Sequence, residues 1–210
     1  MEASTAFWSI DFALLELGDY TLSLVELLAV VFSLFSTYLL HQKNRLGWPL
    51  AILTNVCFFL FFYQIRMYGM MAAQVVLACI NIAWGLKPPL AEDLPIKKLD
   101  SIGFPVSMVA VIAPGMPLMI VLFKISQFFP GLFPLPATYI FPDALSATGS
   151  IVATVLLRPR FLESWIFWIV IHCLLIIVLA WKGYYLAMAA QLAFLGYAAN
   201  EYLAWRNLAK

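Results

Sequence analysis

The chain has 210 residues, of which 64% are hydrophobic and 11% are charged, and its formal net charge is +1. Soluble domains carry about a quarter charged residues, so the polar residues here are too few to cover a surface that faces water. The composition excludes a soluble globular protein and indicates an integral membrane protein. No run of basic residues suggests that the chain binds nucleic acid.

The first 21 residues come before the first long apolar stretch. They contain acidic side chains, such as Glu2 and Asp11, and no lysine or arginine. A secretory signal peptide begins with basic residues. We therefore interpret residues 1–21 as an acidic N-terminal segment and not as a signal peptide.

Seven apolar stretches follow, each long enough for a helix that crosses a membrane, which requires about 20 residues. The sequence therefore predicts an all-α integral membrane protein with seven transmembrane helices. The predicted spans are residues 22–41, 47–65, 68–86, 104–126, 140–157, 164–181 and 184–205.

The two ends of the chain carry matching residues at an offset of 117 positions. The tetrapeptide MAAQ occurs at 71–74 and again at 188–191. The same register pairs Glu26 with Asp143, Asn55 with His172, Trp48 with Trp165, Tyr68 with Tyr185, Ser33 with Ser150, and Thr37 with Thr154.

This register predicts two three-helix repeats, residues 22–86 and 139–205. They are joined by a linker, residues 87–138, that contains the fourth helix, and residues 206–210 form a C-terminal tail. Because a single helix separates the repeats, both cross the membrane in the same sense. This is a parallel 3+1+3 arrangement like that of SWEET carriers, which is typical of secondary transporters that bind substrate between the halves.

The basic residues predict the orientation, because short cytoplasmic loops are enriched in lysine and arginine. If the N-terminus lies outside, most of the 12 basic residues fall on the cytoplasmic side. We therefore predict that the N-terminus is outside and the C-terminus is cytoplasmic.

A few polar and aromatic side chains interrupt the apolar spans. Because polar groups are costly in hydrocarbon, we expect them to face the bundle interior or a water-filled cavity. Indoles can stack on a flat ring, and amides and an imidazole can pair with hydroxyl groups. The predicted substrate-binding residues are Asn55, Gln74, Asn81, Trp165, Trp168, His172 and Gln191.

Each of these residues also has a purely structural interpretation. Gln74 and Asn81 can hold helices together, and tryptophans near span ends, such as Trp48 and Trp205, can be anchors at the membrane interface. For Glu26 and Asp143, near the ends of their spans, we predict helix capping or structural pairing over substrate binding.

The sequence predicts no metal site, no cofactor and no catalytic function. Cys57, Cys79 and Cys173 lie in apolar stretches without metal-ligand spacing, so we predict that they are small buried hydrophobic residues. No metalloprotease motif, phosphate-binding loop or nucleophile–base arrangement is found.

Two segments resemble a known family. ESWIFWIVIH, at 163–172, resembles the WxxWxxxN/D signature of the PnuC family of vitamin transporters, and AAQVVLACINIAWG, at 72–85, resembles the third core helix of that family. By position, Gln74, Asn81, Trp165 and Trp168 match the binding residues of the family. His172 occupies the Asn/Asp position of the signature and departs from it.

The resemblance implies uptake of a vitamin precursor, typically nicotinamide riboside, across the bacterial inner membrane by facilitated diffusion. It also implies trapping by a cytoplasmic kinase and a homotrimer. Related branches carry thiamine, riboflavin or deoxynucleosides, and His172 leaves the choice among these substrates open.

Other functions also remain open from the residues. A SWEET-like sugar carrier would share the repeat arrangement, and Glu26, Asp143 and His172 are candidates for ion coupling. We further predict that His172 faces the substrate as a neutral imidazole and pairs across the cavity with Asn55, because burial disfavours the charged ring.

Overall fold

The computed structural model describes residues 13–17, 20–86 and 95–209. Much of the predicted N-terminal segment, the start of the predicted linker and the last residue of the tail therefore lie outside the described residues. In chain order, the elements are β1 Ala13–Leu17, β2 Tyr20–Ser23, α1 Leu24–His41, α2 Gly47–Gln64, α3 Tyr68–Gly85, α4 Gly103–Phe128, α5 Ile140–Leu157, α6 Glu163–Lys182 and α7 Tyr185–Leu208.

The seven helices coincide with the seven predicted spans to within a few residues. Six of them, α1 to α6, are long and apolar enough to cross a membrane. Helix α7 has 24 residues, enough to cross, but Asn200, Glu201 and Arg206 make it more polar. The chain is therefore a helical multi-pass membrane protein.

One short element outside the seven helices is not predicted by the sequence. Strands β1 and β2 form an antiparallel hairpin, with Leu17 paired to Tyr20 and Glu16 paired to Thr21. Helix α1 begins only after this hairpin, because the Ser23 hydroxyl caps it by accepting a hydrogen bond from the Glu26 N–H at 3.1 Å. The predicted start of the first span at residue 22 therefore belongs to β2.

Helices α1–α3 are referred to below as the first half and α5–α7 as the second half. Within each half, consecutive helices pack against each other, and the halves meet where α1 contacts α7 and where α3 contacts α5. The core between them is mainly aromatic and aliphatic. It includes Phe58, Phe61 and Phe62 of α2 with Ile171 and Leu175 of α6.

The turns of the two halves share an uncommon backbone geometry. Lys43 and Arg160, which follow α1 and α5, have φ of 56° and 64°. Arg66 and Gly183, which follow α2 and α6, have φ of 61° and 78°. Each pair is separated by the 117 positions of the sequence register, so both halves turn the chain in the same way at the same points.

Helix α4 joins the halves and packs mainly against α5. Much of its surface is apolar and exposed, including Met116 and Ile120, which suits contact with lipid. Pro114 and Pro117 lie inside the helix. Proline has no N–H, so each removes a hydrogen bond from the helix.

The cysteine prediction holds for one residue only. Cys57 is buried, whereas Cys79 and Cys173 are exposed on the outside of the bundle. In a membrane, burial from water does not require burial in protein, because lipid also accepts an apolar thiol. An apolar sequence context is therefore consistent with a cysteine that faces lipid as well as with one buried in the protein core.

Candidate functional site

A cavity of about 820 Å³ lies between the two halves. Its wall is formed by α1, α2, α3, α5, α6 and α7. All seven predicted site residues line it: Asn55, Gln74, Asn81, Trp165, Trp168, His172 and Gln191.

On the wall of the first half, three amides form a hydrogen-bonded chain. Asn55 Nδ2 on α2 donates to Gln74 Oε1 on α3 at 2.9 Å, and Asn81 Nδ2 donates to Asn55 Oδ1 at 2.8 Å. Asn55 is 7% exposed and Gln74 is 5% exposed. This chain leaves Gln74 Nε2 as a donor and Asn81 Oδ1 as an acceptor for a bound molecule.

On the wall of the second half, His172 Nδ1 of α6 lies 2.7 Å from Gln191 Oε1 of α7. Since the amide oxygen can only accept, Nδ1 carries the hydrogen, and Nε2 of the neutral ring is an acceptor. The predicted pairing of His172 with Asn55 across the cavity is wrong. Adjacent helices of one half bring His172 and Gln191 within hydrogen-bond distance, and the amide of Asn55 is used within the first half.

Aromatic rings stack on both sides of His172. The Trp168 ring lies 5.5 Å from the imidazole with an interplanar angle of 19°, and the Phe194 ring lies 5.7 Å away at 23°. Sequence reasoning missed Phe194, although it lies one helical turn after Gln191 and on the same face. The stack gives this wall flat surfaces that suit another planar ring.

Trp165 lies nearer the end of α6 and packs edge-on against Tyr197 and Trp205, with centroid distances of 5.8 and 5.4 Å. Its Nε1 is buried and has no hydrogen-bond partner within the part of the chain that the structure describes. A buried donor of this kind is costly unless it finds an acceptor.

Hydroxyl groups on α1, α2 and α5 also line the cavity, and sequence reasoning did not assign them to the site. Most donate within their own helix: the Ser33 hydroxyl bonds Val30 O at 2.8 Å and the Thr154 hydroxyl bonds Ser150 O at 2.7 Å. The repeat register provided the signal, since several recur at the same offset. The full set is Ser33, Ser36, Thr37, Thr54, Ser150 and Thr154.

One end of the cavity, called the mouth below, is lined by Lys43, Arg45, Arg158 and Arg160 from the α1–α2 and α5–α6 turns. The Arg158 guanidinium lies 5.4 Å from the Trp84 ring, and that of Arg160 lies 5.3 Å from the Trp205 ring, as in cation–π pairs.

Tryptophans also line the mouth. Trp48 and Trp205, whose structural interpretation is as anchors at the membrane interface, both lie in the cavity wall. The opposite end of the cavity finishes at the buried side chains of Phe62, Met70 and Leu175, so the mouth is the open end.

Glu26 and Asp143 lie beyond the closed end, and both are 0% exposed. Glu26 Oε1 accepts from Ala187 N at 2.8 Å, at the start of α7. Asp143 accepts from Gly69 N at 2.8 Å and Met70 N at 2.7 Å, at the start of α3. The prediction that these carboxylates cap helices is confirmed, and each caps a helix of the other half.

No group of three or more potential metal ligands occurs among the described residues.

Known proteins are similar to this chain in sequence and in fold. The sequence profile of the nicotinamide mononucleotide transporter family matches residues 23–207. The chain is 24% identical over 223 aligned residues to the nicotinamide riboside transporter PnuC of Escherichia coli (strain K12), with 92% of this chain and 89% of that protein covered. The figures are the same for the protein of that name from Shigella flexneri. A solved crystal structure of the vitamin B3 transporter PnuC matches with a TM-score of 0.64 and 18% identity, covering 88% of this chain and 81% of that one.

Proposed function

The chain belongs to the nicotinamide mononucleotide transporter family, and on this premise we propose that it carries nicotinamide riboside across the bacterial inner membrane. The observation that carries the proposal is the cavity between the halves. One wall presents stacked rings and the other presents a chain of amides. A ligand with a planar heterocycle and a ribose can use both walls at once, its ring against Trp168 and its hydroxyls against Gln74 and Asn81.

Movement by facilitated diffusion, with trapping by a cytoplasmic kinase, is the simplest mechanism for this cavity. Ion coupling would require titratable groups that are free to change partners during transport. Glu26 and Asp143 both hold helix N-termini, and His172 bonds Gln191. Their structural engagement favours diffusion down a gradient that phosphorylation of the substrate maintains.

The predicted repeat arrangement is part of the proposal. Two parallel three-helix repeats, related by an axis near the membrane normal and joined by α4, explain why the turns and the capping carboxylates recur at one offset. The basic mouth is then cytoplasmic by the positive-inside rule, with the N-terminus outside and the C-terminus inside. The family resemblance further implies a homotrimer.

A second candidate is uptake of an uncharged nucleoside or another vitamin, such as thiamine, riboflavin or a deoxynucleoside. The basic mouth favours an uncharged ligand, since positive charge repels a cationic pyridinium ring. A SWEET-like sugar carrier has less support, because a sugar has no planar ring to place against Trp168 and Phe194.

Calorimetry on the purified protein separates these candidates. The ligands titrated in turn are nicotinamide riboside, thiamine, riboflavin, several deoxynucleosides and glucose. The same titrations are made with the Trp168→Ala variant, which lacks the stacking ring. We expect nicotinamide riboside to bind most tightly and the variant to bind it weakly. Tighter binding of an uncharged nucleoside or of glucose would replace the proposed substrate.

Uptake into proteoliposomes then tests the mechanism. With labelled nicotinamide riboside, accumulation of the label above the outside concentration should require an enclosed kinase and ATP, and the accumulated label should be the phosphorylated product. Accumulation in empty liposomes that depends on a proton or sodium gradient would contradict facilitated diffusion.

A further inference from the structure

The two contacts between the halves are built alike at the closed end of the cavity. In each, a carboxylate on the first helix of one half accepts hydrogen bonds from the start of the third helix of the other half. Glu26 of α1 bonds Ala187 N of α7, and Asp143 of α5 bonds Met70 N of α3. Both the carboxylates and the N–H donors are related by the same 117-residue offset.

The contacts differ at the neighbouring N–H. Gly69 N donates directly to Asp143 Oδ2, and a Cβ on Gly69 would lie 3.1 Å from that carboxyl group. Glycine therefore permits the close approach. The equivalent residue, Leu186, carries a side chain, and its N–H is reached through a phenol instead: Tyr20 OH accepts from Leu186 N at 3.3 Å and donates to Glu26 Oε2 at 2.9 Å.

Tyr20 comes from strand β2, so the N-terminal hairpin completes the α1–α7 contact. Its ring also packs edge-on against Tyr185 at a centroid distance of 5.4 Å. Burial and the adjacent Glu26 carboxylate raise the pKa of the Tyr20 phenol. The hydroxyl therefore keeps its proton and continues to donate to Glu26.

The capped residues lie one helical turn before the glutamines of the candidate site. Met70 precedes Gln74 by four residues, and Ala187 precedes Gln191 by four, so each capped residue lies on the same helix face as its glutamine. An axial shift of α3 would lengthen the 2.9 Å bond between Gln74 and Asn55. A shift of α7 would do the same to the 2.7 Å contact of Gln191 with His172.

We propose that Glu26 and Asp143 are positioning residues for the binding site of the opposite half. Asp143 fixes Gln74 through the start of α3. Glu26, together with Tyr20, fixes Gln191 through the start of α7. The inference rests on the proposed function in one respect, namely that the cavity binds the transported ligand.

Double-mutant cycles on the full-length protein test the crossed pattern, with nicotinamide riboside as the probe in calorimetry. Asp143→Asn and Glu26→Gln keep the size of each side chain but place an N–H₂ group against backbone donors. Each is combined with Gln74→Ala and with Gln191→Ala. We expect each single change to weaken binding by about 3- to 10-fold, in the range of one lost hydrogen bond.

The expected result is coupling across the halves. Asp143→Asn should add little to Gln74→Ala, because the glutamine it positions is already absent, and it should multiply the effect of Gln191→Ala. Glu26→Gln should show the reverse. Multiplicative effects in all four pairs, or coupling of Glu26 with Gln74 and of Asp143 with Gln191, would overturn the proposal.

Amide hydrogen exchange of the protein without ligand separates failure of the proposal from failure of the proposed function. Asp143→Asn should speed exchange at the start of α3 and through Gln74, and leave α7 unchanged. Glu26→Gln and the milder Tyr20→Phe should speed exchange at the start of α7 only. If nicotinamide riboside does not bind the unmodified protein, the proposed function fails and exchange alone decides the positioning roles.

Glu163→Gln is the matched control. Glu163 Oε2 accepts from Leu99 N at 3.0 Å, away from both contacts between the halves. Glu163→Gln therefore removes the same charge without changing a hydrogen bond to α3 or α7. The proposal would be overturned if Asp143→Asn sped exchange equally in α3 and α7. It would also be overturned if neither Asp143→Asn nor Tyr20→Phe changed exchange relative to Glu163→Gln. If either carboxylate variant does not fold, hydrogen exchange of the Tyr20→Phe variant still tests the proposal.

Discussion

Each wall of the cavity contains two polar residues that are joined by a hydrogen bond and separated by the same number of residues in the sequence, but the residue types differ between the walls. Asn55 and Gln74 are 19 residues apart, as are His172 and Gln191, and each pair links the second and third helices of its half. In the first half the chain of amides continues to Asn81. In the second half the equivalent residue is Ala198, which is buried and apolar.

The second wall places aromatic rings beside its hydrogen-bonded pair, whereas the first wall extends its pair with a third amide. His172 lies between Trp168 and Phe194, whereas Asn55 lies between two amides. The comparison shows that hydrogen-bonded pairs with the same spacing carry different side chains in the two halves. We infer a division of labour in which the first half binds ligand hydroxyls and the second half binds a ligand ring.

The largest effect should come from removing the stacked ring. Trp168→Ala should weaken binding of nicotinamide riboside by about 1–3 kcal/mol, as measured for aromatic side chains that stack on bases. Calorimetry gives the affinity. The control is Trp181→Ala on the same helix, where the side chain is 69% exposed; an equal loss there would show that α6 tolerates no tryptophan substitution and would remove the argument for stacking.

The next effect concerns the folded state of the first half. Asn55→Ala removes both bonds of the amide chain and leaves buried groups of Gln74 and Asn81 unpaired, so we expect a loss of about 1–2 kcal/mol in the free energy of unfolding. Thermal unfolding in detergent would show a lower midpoint. Asn200→Ala, on the exposed face of α7, should leave the midpoint unchanged.

A smaller loss of stability is expected in the second half. Gln191→Ala breaks a single bond, and hydrogen bonds between membrane helices average about 0.6 kcal/mol. The same unfolding measurement applies. A midpoint as low as that of Asn55→Ala would mean that the two walls depend equally on their polar pairs, against the proposed difference.

The smallest effect on affinity should come from His172→Asn, which gives the second half the amide of the first. We expect nicotinamide riboside affinity within about threefold at neutral pH, since an amide can also bond Gln191. Of these two side chains, only the imidazole can gain a proton on acidification.

Acidification should therefore weaken binding of the cationic ligand to the unmodified protein and not to His172→Asn. An uncharged nucleoside should show little pH dependence with either protein. Identical pH profiles of nicotinamide riboside binding for the two proteins would reduce His172 to a structural role.

Much of this molecule could be predicted from the sequence, because membranes restrict what a chain can do. Helices must satisfy their own backbone and be about 20 residues long, so the seven helices follow from the apolar stretches. Polar residues inside them are few and costly. For that reason all the predicted site residues lie in the cavity wall.

The features that the sequence did not predict depend on which helices lie next to each other in the folded protein. Every helix has N–H groups at its start, so nothing in the sequence indicates that Asp143 caps α3 or that Glu26 caps α7. The pairing of His172 with Gln191 depends on how α6 and α7 face each other. Phe194 was missed because phenylalanine is common in any membrane helix, and the hairpin that presents Tyr20 is too short for its alternation to stand out.

The prolines of α4 have a mechanical consequence. Without N–H groups at Pro114 and Pro117, the carbonyls one turn earlier lack their usual donors, and a helix bends most easily at such a place. Helix α4, which connects the halves along the described chain, therefore contains a place where it bends more easily than an uninterrupted helix does. We expect bending of α4 at this place to let one half tilt relative to the other.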